Sequence, residues 1–254
     1  MGALRTLPNA GHPAPERSGG AADGDPPDWV FVLSPAYATV IGVDDIWPAW
    51  WPGTTELQST AVRQRYPAGA TLFIEGDRFG SVIVIQRGDL KVCGTSAGGR
   101  EVVFDVLGAG DVVGELAALD GGVRSASAVA LTEVEVLSVS ASAFRAALDA
   151  SRELERALLV DVIRRLRTSD RRQLEVGSDA LGRVCARLVE LADRTGGATV
   201  ELPVNQTDLA AWTSQSREAV VKALAALRRL RWIQTDGRRV HLLNLERIRE
   251  RANS

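Results

Sequence analysis

The sequence predicts an α+β chain in three working parts: an N-terminal antiparallel β-roll, a long amphipathic helix, and a C-terminal winged helix-turn-helix. Three observations predict it. Short β-rich runs alternate with Gly- and Asp-containing turns from about residue 61 to 140; apolar residues then recur every four positions; and the chain closes on the order helix, turn, helix, hairpin.

Residues 1–27 are rich in Gly, Pro, Ala and Asp without apolar periodicity and are expected to be disordered. Residues 28–60 form a Trp/Pro-rich lead-in, in which Trp47, Trp50 and Trp51 are expected to cap the following domain as packed aromatics. The roll is assigned to 61–147. Its turns fall at Pro67-Ala-Gly69, Glu75-Gly-Asp77, Arg87-Gly-Asp89, Ala97-Gly-Gly99 and Leu107 to Asp111. Strand-like runs start at Thr71, Ser81, Leu90 and Val102, and a last one extends from Ala126 to Val139. Gly114 to Leu119 interrupts this pattern with helix formers, which predicts one helical turn inserted in the roll.

The segment 148–176 is expected to be a dimerisation helix. Phe144 and Leu148 begin its periodicity; Leu154, Leu158, Val162 and Leu166 continue it as an apolar seam, with Arg152, Arg156, Arg164 and Arg165 off that stripe. The winged helix-turn-helix takes 177–254. Leu181, Val184, Leu188 and Leu191 mark its first helix, ended by Thr195-Gly-Gly197. A short strand from Ala198 to Leu202 leads to Asn205, an N-cap for a helix to about Trp212. A second helix follows from about Gln215 to Arg231, and then a hairpin about Asp236-Gly237.

Composition narrows the class. Apolar residues are 45% and charged residues 24% of the chain, both globular values. No apolar run approaches the ~20 residues that span a bilayer, and the N-terminus lacks an apolar signal region, so a cytoplasmic protein with no membrane partner is expected. Cys93 and Cys185 fit no metal, iron–sulfur or redox spacing and are expected to be buried reduced thiols. Residues 1–176 carry 17 Lys/Arg against 23 Asp/Glu, a net of −6, whereas 177–254 carry 13 against 9, a net of +4. A basic tail on an acidic body points to a polyanionic partner.

Two constellations carry the chemistry. In the stretch Gly114 to Ala126, the start of a short helix offers unsatisfied N–H groups, Gly114 permits close approach, and Arg124 supplies a fork that matches phosphate oxygens. Glu115 beside an anion makes sense only if the ligand also offers a hydroxyl. A ribose bearing a cyclic phosphate offers both. The alternative is a Glu115–Arg124 salt bridge retained in a roll that binds nothing, or something else. The second constellation runs from Asn205 to Leu224. With Val220, Leu224 and Leu227 facing inward, Arg217, Glu218, Val221 and Lys222 lie on the solvent face near a helix start, as a major-groove reader requires. Arg217 or Lys222 can donate to guanine, Glu218 can accept from cytosine, and Arg238 and Arg239 can hold phosphates.

The run from Gly114 through Ser125 resembles the phosphate-binding cassette of cyclic-nucleotide-binding domains. The triplet Ser216-Arg-Glu218, with its hydrophobic helix and wing, resembles the DNA-binding domain of the cAMP receptor protein/FNR superfamily. The two matches, in the family's own order, cover roughly residues 61 to 243. The resemblance implies a homodimeric transcription regulator that binds a palindromic operator in double-stranded DNA, and that contacts RNA polymerase if it is an activator. It implies cAMP or a related cyclic nucleotide as effector. Glu115 would meet the ribose hydroxyl, Arg124 the cyclic phosphate with the N–H groups of Leu116 and Ala117 and the Ser125 hydroxyl, and Thr168 and Ser169 the purine. It likewise implies DNA contacts by Gln206, Thr207, Ser216, Arg217, Glu218, Lys222, Arg238 and Arg239.

The chain departs from the family at several points. The cassette is one residue shorter than in the best-known cAMP-binding regulator, although it equals the spacing in many other cyclic-nucleotide domains, and the Thr168-Ser169 register shifts by one depending on the direction of counting. Lys222 stands where Arg is usual, and Gln206 replaces a basic residue. The cysteine set of iron–sulfur members is missing, and His12 and His241 do not suit heme sensing. No metal, heme or iron–sulfur cluster is expected. An enzyme reading rests on Gly94-Thr-Ser-Ala-Gly98, which matches a Gly-x-Ser-x-Gly nucleophile elbow formally. That chemistry needs a strand-to-helix turn, whereas here two strand-like runs flank a loop; no enzymatic activity is expected.

Overall fold

The computed structural model describes Leu57 and residues 60 to 254, apart from Phe79 and Pro203. The expected disorder of 1–27 and nearly all of the aromatic lead-in 28–60 lie outside the described residues. Those described fall in one compact unit.

Among them, β1 (Val62–Tyr66), β2 (Thr71–Phe73), β3 (Ser81–Arg87), β4 (Leu90–Thr95), β5 (Glu101–Leu107), β6 (Val112–Val113), β7 (Ser127–Ala130) and β8 (Val134–Ser140) build the roll. They pair antiparallel in two four-stranded sheets, β1-β8-β3-β6 and β2-β7-β4-β5. The near-continuous apolar run of β3 has a simple cause. Successive side chains point to opposite faces, so Ile83 and Ile85 enter the roll interior with Leu90, Leu107 and Val136. Val82 and Val84 enter a second core with Phe144, Leu148, Leu154 and Leu158. The run from Ala126 to Val139 is two strands split at Leu131-Thr-Glu133, and β1 and the short β6 were not among the expected strands.

The inserted helical turn is α1 (Glu115–Asp120). Helix α2 (Ala141–Ala150) is capped by the Ser140 hydroxyl and α3 (Arg152–Leu174) by the Ser151 hydroxyl, each accepting from a backbone N–H three residues on. Ser151 is extended, at φ −134°, so the periodicity that begins at Phe144 spans two helices. The expected seam is corrected here: Leu154 and Leu158 are buried against the chain's own roll. Leu166 of that seam stays uncovered, and it is joined by Leu159, Val160, Ile163 and Leu174, with Leu159, Ile163 and Leu166 at four- and three-residue intervals.

After a 3₁₀ turn, Glu175–Gly177, come α4 (Ala180–Thr195), β9 (Thr199–Glu201), α5 (Gln206–Thr213), α6 (Arg217–Arg229), β10 (Ile233–Asp236), β11 (Arg239–Leu242) and α7 (Leu245–Ala252). The sheet order is β10-β11-β9. Asp179 caps α4, and Gly196 ends it at φ 66°. Val184, Leu188, Leu209, Val220, Leu227 and Ile248 share one core with Cys93, Val103 and Val106 of the roll, because α5 lies against β5. At that junction the Lys91 ammonium lies 2.7 Å from both Glu101 and Asp208. Burial opposes its charge, but the two carboxylates outweigh burial and hold it above its ordinary pKa. Both cysteines are buried and free, and burial pushes each thiol up to about 11. Helix α7 was not anticipated; its signal was Asn244, whose side chain caps it, ahead of Leu245, Ile248 and Ala252 at helical spacing.

Candidate functional site

A cavity of about 390 Å³ opens between the sheet β2-β7-β4-β5, α1 and α3. Its wall gathers Gly114, Glu115, Leu116, Ala117, Arg124, Ser125, Thr168 and Ser169, although the last two are more than forty positions from the rest. Gly114 sits at φ 86°, a left-handed conformation that favours glycine, and a Cβ there would collide with the Arg124 guanidinium.

Arg124 is 4% exposed. It donates from Nη1 to the Gly114 carbonyl at 2.8 Å and from Nη2 to the Ser81 carbonyl at 2.6 Å, and it stacks 4.1 Å from the centre of the Phe73 ring. Its Nε is buried without a partner, and no described carboxylate comes within ion-pair distance. Burial lowers its pKa, a sign of a cation held out of water. Neutral carbonyls orient such a cation without pairing with it, and Glu115 and Asp77 act on it only from beyond ion-pair distance, so an anion entering the cavity could be the first to meet it directly.

Glu115 does not form an ion pair with Arg124, so the salt bridge of the alternative reading is absent. Its partner is Arg165 of α3, at 3.1 Å. Burial raises the Glu115 pKa, and Arg165 opposes the rise. Arg165 also contacts Asp161 Oδ2 at 2.8 Å and the Val112 carbonyl at 2.9 Å. It therefore faces the cavity and the roll, a role that its place off the apolar stripe did not assign. The usable signal was Asp161, four residues earlier on the same helix, an acid placed to turn Arg165 inward. Thr168 donates to the Arg164 carbonyl at 3.0 Å, so its hydroxyl hydrogen is engaged on its own helix. Sequence reasoning missed Phe73, Phe104, Arg165 and Arg172, all of which line the cavity.

On the opposite domain, Ser216 caps α6, its hydroxyl accepting from Ala219 N at 3.1 Å, and Asn205 caps α5 by accepting from the N–H groups of Thr207 and Asp208. Burying Val220, Ala223, Leu224 and Leu227 leaves Arg217, Glu218, Val221 and Lys222 exposed along one edge of α6. Gln206 and Thr207 are exposed on the first turn of α5. β10 and β11 are joined by a two-residue loop, Gly237-Arg238, which sets Arg238 at the wing tip and Arg239 at the start of β11. The pentapeptide Gly94 to Gly98 lies in the β4–β5 hairpin, where the Ser96 hydroxyl donates to the Arg100 carbonyl; it is no nucleophile elbow.

A cyclic nucleotide-binding domain matches residues 63–151, and a Crp-like helix-turn-helix domain matches residues 182–251. The chain is 34% identical over 193 residues to the CRP-like cAMP-activated global transcriptional regulator of Mycobacterium tuberculosis (strain ATCC 25618 / H37Rv), spanning 74% of this chain and 86% of that one. It is 32% identical over 167 residues to the cyclic AMP receptor protein of Thermus thermophilus, spanning 65% and 76%. The solved structure of FixK2 from Bradyrhizobium japonicum shares the fold with a TM-score of 0.69 at 23% identity, over 75% of this chain and 96% of that one. The chain belongs to the Crp/Fnr superfamily of transcriptional regulators, which are not enzymes. No described helix is long and apolar enough to cross a membrane.

Proposed function

We propose that this chain is a homodimeric, sequence-specific DNA-binding regulator whose grip on DNA is set by a cyclic nucleotide, cAMP or a close relative, held in the roll. The observation that carries the reading is Arg124, a buried cation on the cavity wall with an orphaned Nε and no described carboxylate partner. The cavity is also of the size that encloses one small ligand. Arg124 and Ser125 would hold the cyclic phosphate with the Leu116 and Ala117 N–H groups, Glu115 the ribose hydroxyl, and Thr168 and Ser169 the base. The names of the Mycobacterium and Thermus relatives support cAMP as the first effector to try.

The uncovered stripe of Leu159, Ile163 and Leu166 suits a second copy of the helix, and the superfamily acts as dimers. Two α6 edges related by a two-fold axis would enter successive major grooves about 10 bp apart, reading bases with Arg217, Glu218 and Lys222. Ser216, Gln206, Thr207, Arg238 and Arg239 would hold the backbone, and an activator would present a face to RNA polymerase. Ligand binding would favour one arrangement of the dimer and so change DNA affinity.

Titration calorimetry with cAMP, cGMP and cyclic dinucleotides tests the cavity: wild type should bind one of them and Arg124→Ala should lose at least about 100-fold in affinity. No heat with any of them would remove the nucleotide and leave a superfamily regulator with another effector or none. Gel shifts on genomic fragments test the interface. Arg217→Ala and Lys222→Ala should each weaken specific binding, and unchanged binding in both would overturn the groove assignment.

A further inference from the structure

Arg172, in the last turn of α3, belongs to two places at once. In the cavity it donates to the Phe104 carbonyl and, at 2.8 Å, to Asp105 Oδ1, both on β5. From there the same guanidinium reaches α4, donating from Nη2 to Glu190 Oε2 at 3.1 Å and from Nε to Oε1 at 3.3 Å. Glu190 also lies 3.3 Å from Arg187. Arg187 in turn holds both carboxylate oxygens of Glu175, the first residue of the 3₁₀ turn, at 2.6 Å. The Arg187 guanidinium lies 5.7 Å from the ring of Trp212 on α5. Four alternating charges thus join the cavity wall to residues 175 to 179, the link, or hinge, between α3 and α4, and to the first helix of the helix-turn-helix pair.

We propose that the row Arg172–Glu190–Arg187–Glu175 is the coupling between cavity occupancy and the placement of the DNA-reading helices, with Arg172 as its positioning residue at the cavity end. The inference rests on the function proposed above. Arg187 is 2% exposed, so separating it from its carboxylates would leave a buried charge unpaired at large cost, which favours shifting the row as linked pairs over breaking it. Arg172 is shared between an acceptor on the roll, Asp105, and one on α4, Glu190. A ligand entering beside Phe104 and Asp105 competes for that guanidinium, and any shift of it is felt first by Glu190. A guanidinium serves here where an ammonium would not, because its planar fork addresses both elements together.

The test uses the full-length chain, cAMP as probe, and a duplex selected by the wild type from a random-sequence pool. Glu190→Gln keeps the shape and removes the charge at a position outside the cavity wall. It should leave the Kd for cAMP within about twofold and shrink the cAMP-dependent change in DNA affinity at least about fivefold. Amide exchange of residues 175 to 179 should quicken about tenfold, with β3 and β8 unaltered. Glu190→Asp, which keeps the charge, should recover part of the lost coupling. Full coupling in Glu190→Gln overturns the proposal, even if exchange quickens, because the row would then serve the fold alone. Should wild type respond to none of cAMP, cGMP and the cyclic dinucleotides, the nucleotide reading above fails by itself. The row is then judged by DNA affinity without ligand: an unaltered Kd for the duplex in Glu190→Gln overturns it, and an altered Kd with exchange in β3 and β8 unchanged supports it.

Discussion

Two buried arginines invite comparison. Arg124 in the roll and Arg187 in the helical domain are 4% and 2% exposed, each near an aromatic ring and each with an Nε lacking a partner. They differ in counter-charge. Arg187 has Glu175 and Glu190 within ion-pair distance, whereas Arg124 has only the Gly114 and Ser81 carbonyls. Burial lowers the pKa of both, so burial alone does not separate a structural arginine from one placed for a ligand. What separates them is whether the protein supplies the anion itself.

The sharpest way to break this comparison is to remove each charge at similar volume. Arg187→Met strands Glu175, while Glu190 keeps Arg172, and should cost about 3 kcal/mol in urea denaturation, the price of deleting one partner of a buried pair. Gly114→Ala forces a left-handed alanine against the Arg124 guanidinium and should cost about 2 kcal/mol, with a matching loss of nucleotide affinity by calorimetry. Arg124→Met, tested without ligand, strands no carboxylate and should change stability by less than about 1 kcal/mol. A cost as large as that of Arg187→Met would show that Arg124 is structural after all.

A partly exposed pair supplies the smallest effect. Glu135 on β8 meets Arg63 and Arg65 of β1, and the hydrogen bond from Arg63 holds its carboxyl below its ordinary value of about 4.5. A carboxyl with a depressed folded-state pKa contributes stability above its unfolded value and loses it as pH falls through the folded one. Wild type should therefore exceed Glu135→Gln by about 1 kcal/mol at neutral pH, and the gap should close well below pH 4.5. A gap that persists in acid would assign the effect to packing.

The same contrast explains how much could be read from sequence. Gly114, Glu115, Arg124 and Ser125 were legible because turn residues, a short helix and a lone arginine fall within one short stretch. The α6 edge was legible because Val220, Leu224 and Leu227 fix which face is outside. Arg165 and Arg172 were not, because their partners Glu115, Asp105 and Glu190 are distant in sequence, and an arginine on a polar helical face looks the same whether it meets water or a neighbouring domain. The seam was misplaced for a related reason. A helix packed on its own roll and offered to another chain carries two apolar stripes, and four-residue spacing from Leu154 begins on the inner one at Leu154 and Leu158 and ends on the outer one at Leu166.

Leu159, Ile163 and Leu166 give that outer stripe a consequence of its own. If two chains must meet before DNA is held, then in dilute conditions doubling the amount of protein raises the paired form about fourfold. The abundance of the regulator then becomes an input in its own right, sharpening the response of its target genes beyond what the ligand alone could impose.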